Sequence, residues 1–80
     1  MTKEEIKNAV NEFLIDELEI EPDRLKDDAH LKDDVGIDSL DFVDIVVLVE
    51  EKFGFKIKAE DMYNVRTLSQ FYDYIEKQIQ

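Results

Sequence analysis

The sequence contains no cysteine and no tryptophan, and its 80 residues include only one proline, two glycines and one histidine. The lack of cysteine excludes disulfides, thiolate metal sites and a cysteine nucleophile. Because glycine and proline are the residues that most often interrupt helices, their scarcity favours a helical protein. The longest apolar run covers residues 45–49, whereas a membrane-spanning helix needs about 20 apolar residues.

The length and the apolar content indicate a single domain. At 80 residues and 44% hydrophobic composition, the chain is too apolar for a disordered acidic tail and long enough for one modest core. Residues 1–5 lack the apolar stretch of a signal peptide. We therefore expect one domain spanning 1–80, in a cytoplasmic, monomeric protein.

Acidic residues dominate the charge, with 21 Asp and Glu against 10 Lys and Arg and a formal net charge of −11. Such a surface repels phosphate backbones and anionic lipid headgroups, so neither nucleic acid binding nor membrane insertion is expected. It favours basic patches on other proteins. Residues 27–51 contain nine acids and one base, Lys32. The simplest interpretation of such a run is a solvated face.

Apolar spacing and capping residues predict three main helices. Each helix is preceded by a pair of residues at capping-box spacing, namely Thr2 and Glu5, Asp38 and Asp41, and Thr67 and Gln70. The first helix ends near Leu18, and the second ends near Phe53, where Gly54 follows as a stop. The apolar stripes of the first and last helices are Ile6, Val10, Phe13, Leu14 and Leu18, and Leu68, Phe71, Tyr72, Ile75 and Ile79.

The connections between the helices are unequal in length. No apolar period holds from 19 to 37, but isolated apolar residues there are expected to anchor a long loop to the core: Leu25, Leu31, Val35 and Ile37. After Gly54, Phe55 and Ile57 lie on one side of an extended link, and residues 59–63 are typical of one short helical turn. The predicted fold is an all-α bundle of three main helices plus one short helix, with a long loop between the first and second helices.

The second helix has two distinct faces on a helical wheel. One face should pack in the core: Phe42, Ile45, Val46, Val49 and Phe53. The opposite face combines apolar residues with three carboxylates: Leu40, Asp41, Asp44, Val47, Leu48 and Glu51. We interpret the second set as a docking face for a partner protein, with apolar area for affinity and acids for steering. The alternative is that Val47 and Leu48 pack under the long loop and that the acids are incidental.

The candidates for chemistry are few. His30 is the only histidine and no oxyanion-hole motif accompanies it, so an enzyme is not expected. An EF-hand alignment that places Gly36 at its sixth position puts apolar side chains where oxygen ligands are needed, so no dedicated metal site is expected. Ser39 lies at the start of the second helix, where free N–H groups favour a phosphate. Its alternative role is a plain hydrogen bond at the helix start.

The run Gly36-Ile37-Asp38-Ser39-Leu40-Asp41 resembles the Asp-Ser-Leu attachment motif of acyl carrier proteins. The resemblance extends over essentially the whole chain, through the acidic loop and the second helix to its end at residues 49–54. It implies that a phosphopantetheinyl transferase moves 4′-phosphopantetheine from coenzyme A onto Ser39, beside Asp38 and Leu40. Acyl groups would then be thioesters on the thiol of that arm, and the protein itself would perform no catalysis.

The resemblance also implies the partners. In such carriers the second helix is the usual recognition element, which corresponds here to the docking face already defined. Its expected partners are acyl-transfer and chain-elongation enzymes that carry basic patches. In such carriers short acyl chains can also fold back between the helices, which makes Phe42, Val46 and the loop anchors candidate cavity residues here.

Several residues differ from the common fatty-acid pattern: Phe42, Val47, Lys58, Phe71 and Tyr72. They leave fatty-acid synthesis and a specialised polyketide, lipid or aminoacyl pathway both open. A further alternative is an unmodified acidic helical adaptor that binds a basic protein, for which Ser39→Ala would leave function intact.

Overall fold

The computed structural model describes all 80 residues and consists of three α-helices with connecting segments. They are α1 (Lys3–Leu18), α2 (Ser39–Phe53) and α3 (Leu68–Ile79). Two 3₁₀ turns, Pro22–Arg24 and Ala59–Asn64, lie in the connections. The predicted all-α bundle with a long loop after the first helix is confirmed, and the short helical turn is present as the longer 3₁₀ segment. No helix has the length and apolar character of a membrane span.

All three predicted capping boxes form. The side chains of Thr2, Asp38 and Thr67 each accept a hydrogen bond from the backbone N–H three residues later. The side chain of that later residue in turn accepts a hydrogen bond from the backbone N–H of the capping residue. These bonds satisfy donors that a helix start otherwise leaves free. At the other end of α2, Gly54 adopts a left-handed conformation with φ 79°, which glycine reaches without steric strain.

The core contains 14 buried residues, and all of them are apolar or aromatic. α1 and α3 contribute four each, which are Ile6, Val10, Phe13 and Leu14, and Leu68, Phe71, Tyr72 and Ile75. α2 contributes only Ile45 and Val49. Phe42, Val46 and Phe53 were expected in the core, but they are only half-buried at its edge.

Polar contacts reinforce the packing of α1 against α3. The Tyr72 hydroxyl donates a hydrogen bond to Asn11 Oδ1 at 2.5 Å. Burial raises the pKa of Tyr72 to about 12, because the phenolate would lose its hydration inside the protein. At the surface, Lys3 pairs with Asp73, and a hydrogen bond from its ammonium to that carboxylate raises the pKa of Lys3.

The long loop is fixed to the start of α3 by backbone hydrogen bonds. The N–H of Leu31 donates to the Arg66 carbonyl at 2.8 Å, and the N–H of Leu68 donates to the Ala29 carbonyl at 3.0 Å. Val35 and Ile37 are buried, so the predicted anchoring of the loop is confirmed. Since the last anchor lies two residues before Ser39, the loop fixes where α2 begins.

Candidate functional site

Ser39 is the first residue of α2, and its side chain is exposed. Asp38 caps the helix, because its Oδ1 accepts hydrogen bonds from the backbone N–H groups of Leu40 and Asp41, both at 2.9 Å. The hydroxyl of Ser39 takes no part in these bonds. The hydroxyl of this serine therefore does not cap the helix, and its side chain is open to solvent.

The residues just before Ser39 hold it in place. Gly36 has φ 88°, a left-handed conformation that is sterically unfavourable for residues with a Cβ atom. The N–H of Ile37 donates to the Leu31 carbonyl at 2.9 Å, and its side chain is buried. This tight turn places Asp38 and Ser39 at the surface, and the buried side chain and hydrogen bond of Ile37 fix the backbone just before them.

An apolar groove of about 580 Å³ lies beside Ser39. Seven of its ten lining residues are hydrophobic, and the full set is Leu31, Lys32, Ile37, Asp38, Ser39, Phe42, Ala59, Met62, Tyr63 and Val65. We refer to it as the Ser39 groove. Of the candidate cavity residues, Phe42 and the loop anchors Leu31 and Ile37 line it, whereas Val46, Leu25 and Val35 do not. The groove is open, and its size and apolar lining suit part of a flexible apolar chain.

The docking face defined from the sequence is largely exposed. Leu40 is 79% exposed and Val47 is 51% exposed, and Asp44 and Glu51 also face solvent. Asp41 is half-buried, and its Oδ2 accepts a hydrogen bond from the backbone N–H of Asp38. Leu48 is half-buried and packs against the core, whereas Val47 is exposed, so the alternative in which both residues pack under the long loop does not hold for Val47.

One exposed apolar residue of α2 was missed by sequence analysis. Val43 is 61% exposed. It lies three residues after Leu40 and four before Val47, a spacing that places the three side chains in one row along the helix. That spacing was visible in the sequence and is the signal by which Val43 could have been found.

The carboxylates of the docking face have no cation of this chain as partner. The two ion pairs of the protein are Lys3 with Asp73 and Lys7 with Asp27, and neither involves α2. Unpaired carboxylates beside exposed apolar side chains form a surface complementary to a basic patch with apolar contacts.

The side chains that could bind a metal ion are not arranged as a bound ion requires. No group of three or more His, Asp or Glu side chains is placed to hold a metal ion. The side chain of His30 is exposed, while its backbone forms an isolated bridge with Thr67 at the start of α3.

Comparison with known proteins identifies the type of site. The family model described as "Phosphopantetheine attachment site" matches residues 8–75. An acyl carrier protein of Bdellovibrio bacteriovorus is 37% identical over 85% of this chain and 87% of its own length. Acyl carrier proteins of Chlorobium phaeovibrioides and Thermotoga maritima are each 35% identical, over 96% and 98% of this chain and 99% and 96% of their own lengths, respectively.

Proposed function

The chain belongs to the acyl carrier protein family, and from that premise we propose that Ser39 is the residue that holds its arm. Members of this family carry acyl groups on 4′-phosphopantetheine in acyl-chain biosynthesis, and that is the function of this protein. The observation that supports Ser39 is its exposed hydroxyl, free of hydrogen bonds, at the start of α2 and beside an apolar groove.

Attachment requires one substitution at phosphorus. The Ser39 oxygen attacks the pantetheine-bearing phosphorus of coenzyme A and forms a new P–O bond. The bond between the two phosphates breaks, adenosine 3′,5′-bisphosphate leaves, and the serine proton passes to a base. When attached, the arm supplies a terminal thiol that holds the acyl group as a thioester.

The surroundings of Ser39 have opposing electrostatic effects on the attached phosphate. The N-terminus of α2 attracts it through the helix dipole. Asp38 and Asp41 repel it, although their carboxylates also accept the capping hydrogen bonds: Asp38 accepts from the backbone N–H groups of Leu40 and Asp41, and Asp41 accepts from that of Asp38. We propose that Asp38 positions Ser39 by capping the helix, and that Leu40, 79% exposed, contacts the transferase or the arm.

We further propose that the docking face binds the partner enzymes. These are a phosphopantetheinyl transferase and acyl-transfer and chain-elongation enzymes that carry basic patches. The exposed row Leu40, Val43 and Val47 supports this, as do the unpaired Asp44 and Glu51 beside it. The protein would act as a carrier without catalysis of its own, in the cytoplasm.

The pathway remains part of the proposal. Fatty-acid synthesis is the first assignment, and a specialised polyketide, lipid or aminoacyl pathway is the alternative. Incubating the holo protein with acyl-transfer enzymes of each pathway would distinguish them by which enzyme loads it.

Intact-protein mass spectrometry tests the attachment. The purified protein is incubated with coenzyme A and a broad-specificity phosphopantetheinyl transferase, alongside Ser39→Ala and Ser69→Ala. Ser69 is the other serine of the chain, so its variant is a matched control. We expect the wild type and Ser69→Ala to gain one phosphopantetheine and Ser39→Ala to gain none. A gain on Ser39→Ala would contradict the assignment.

A further inference from the structure

A second, smaller cleft adjoins the Ser39 groove. It has a volume of about 230 Å³ and is lined by His30, Leu31, Lys32, Asp33, Val65 and Arg66. Three of these residues, Leu31, Lys32 and Val65, also line the Ser39 groove. The two are therefore neighbouring parts of one surface depression, with Ser39 in one part and His30 and Arg66 in the other. We call the smaller part the basic cleft.

The basic cleft is unusual in a chain with a formal net charge of −11. Lys32 is the only base among residues 27–51, and neither Lys32 nor Arg66 forms an ion pair. Asp33 is the one acid that lines the cleft. The neighbouring Asp34 accepts a hydrogen bond from the backbone N–H of His30 at 2.8 Å, which commits its carboxylate to the loop.

The backbone of this region leaves the basic side chains free. Arg66 uses its N–H to reach Gln70 Oε1 at 2.8 Å and its carbonyl to receive the N–H of Leu31. Its side chain is exposed and its guanidinium forms no ion pair. Exposed cations on a hydrogen-bonded frame are suited to an anionic ligand group, because charge-assisted hydrogen bonds are the stronger ones.

We propose that the basic cleft binds a carboxylate at the far end of the acyl cargo, and that Lys32 and Arg66 thereby make the protein selective for such cargo. This inference rests on attachment at Ser39. The arm starts at Ser39 and the acyl chain follows it, so the far end of the cargo reaches the cleft when the arm folds back over the apolar walls, which include Phe42 and Met62. Lys32 lines both parts of the depression, and Arg66 lines the cleft. The phosphate of the arm is not the occupant we assign. It is identical in the two loaded forms compared below, so it does not contribute to a difference between them.

The test compares two cargoes that differ only at their far end. Adipyl-coenzyme A and hexanoyl-coenzyme A are used with the transferase to load adipyl- and hexanoyl-phosphopantetheine, and intact mass verifies each product. Thermal melting is then measured at low salt. The adipyl form has one more negative charge, so on an acidic protein without a carboxylate site it should melt at the same or a lower temperature. We expect it to melt about 3 °C higher, with the difference lost in 1 M NaCl.

Three variants identify the cations responsible. Lys32→Met and Arg66→Met each remove a charge while keeping the aliphatic stem, and Lys56→Met makes the same charge change at an exposed position that lines neither groove. We expect the first two to abolish the adipyl advantage and the third to retain it. In the wild type, the NMR chemical shifts of the backbone amides of residues 31–33 and 65–67 should differ between the adipyl and hexanoyl forms. In Lys32→Met these shifts should be the same in the two forms.

The outcomes separate this inference from the function on which it rests. Loading without any adipyl advantage, or an advantage that Lys32→Met and Arg66→Met both retain, would overturn the inference and leave the carrier function intact. Failure to load either cargo on a folded, unmodified protein would overturn both.

Discussion

The helices α1 and α3 differ from α2 in how many of their apolar side chains are buried. Among the 15 residues of α2, nine are apolar, yet only Ile45 and Val49 are buried. α1 and α3 bury four residues each, and Tyr72 and Asn11 form a hydrogen bond between them. Leu40, Val43 and Val47 of α2 remain more than half exposed. The most apolar helix is thus the least buried, which agrees with the docking role that we propose for it.

The comparison assigns separate roles to the two regions. α1 and α3 hold the fold, and α2 presents Ser39 and the docking face, for which we propose attachment of the arm and binding of partner enzymes. Substitutions in the first region should lower stability, and substitutions on the outer face of α2 should change loading and docking without unfolding the protein.

The largest effect is expected from a core substitution in α1. Leu14 is completely buried, so Leu14→Ala should lower the free energy of unfolding by about 2–5 kcal/mol through lost burial and a cavity. Leu40→Ala removes the same atoms from a side chain that is 79% exposed and should change it by less than about 0.5 kcal/mol. Urea denaturation of both variants measures the difference. Similar losses in the two would remove the distinction between the regions.

Charge reversal on α2 should affect docking and not stability. Asp44 is exposed and unpaired, so Asp44→Lys should reduce kcat/KM of the transferase for this protein by about tenfold at low salt, and by less at high salt. Glu12→Lys makes the same charge change at an exposed position of α1 and serves as the control. An equal loss in Glu12→Lys would mean that net charge, and not the docking face, steers the encounter.

Alkaline pH should weaken the α1–α3 region through Tyr72. Burial raises the pKa of Tyr72 to about 12, whereas an unfolded tyrosine titrates near 10. The unfolded state therefore releases this proton first, and the contribution to stability is present below about pH 10 and lost as the pH rises to about 12. We expect a loss of about 1–2 kcal/mol over this range, allowing for solvent screening.

Comparison with Tyr72→Phe isolates this effect, because all other groups titrate in both proteins. The stability of the variant should fall less steeply between pH 10 and 12 in urea denaturation series. Parallel curves for the two proteins would show that Tyr72 does not have the raised pKa.

The smallest effect is expected at the cap of α2. Asp38→Ala removes two hydrogen bonds to backbone N–H groups and should cost about 1 kcal/mol of stability. Asp38→Asn retains a capping oxygen and should lose only a few tenths. If the role of Asp38 is to position Ser39, transferase kcat/KM should fall in the alanine variant and recover in the asparagine variant. A loss of similar size in both variants would indicate that the transferase recognises the negative charge of Asp38 directly.

Local patterns predicted most of the fold. Capping boxes and helix ends depend on residues three or four apart, which is why Thr2, Asp38 and Thr67 were identified correctly. The wheel gives only the direction of a side chain and not what covers it. It therefore did not separate half-buried Leu48 from exposed Val47, and it placed Phe42 in the core when Phe42 lines the Ser39 groove.

Contacts between distant segments were beyond sequence reasoning. The bond from Leu31 to the Arg66 carbonyl joins residues 35 positions apart, and no local pattern indicates it. This bond helps to bring Lys32 and Arg66 to the same cleft. The choice of Ser39 depended on the resemblance to a family, since an exposed serine at a helix start has no distinctive spacing of its own.

Peptide mapping of the loaded protein tests most directly the claim that Ser39 on α2 is the functional centre. Complete trypsin cleavage after Lys and Arg separates the two serines, with Ser39 in the peptide 33–52 and Ser69 in the peptide 67–77. Fragmentation should release phosphopantetheine from the peptide 33–52 alone and locate it at Ser39. Phosphopantetheine on the peptide 67–77, within the region assigned to holding the fold, would contradict the account.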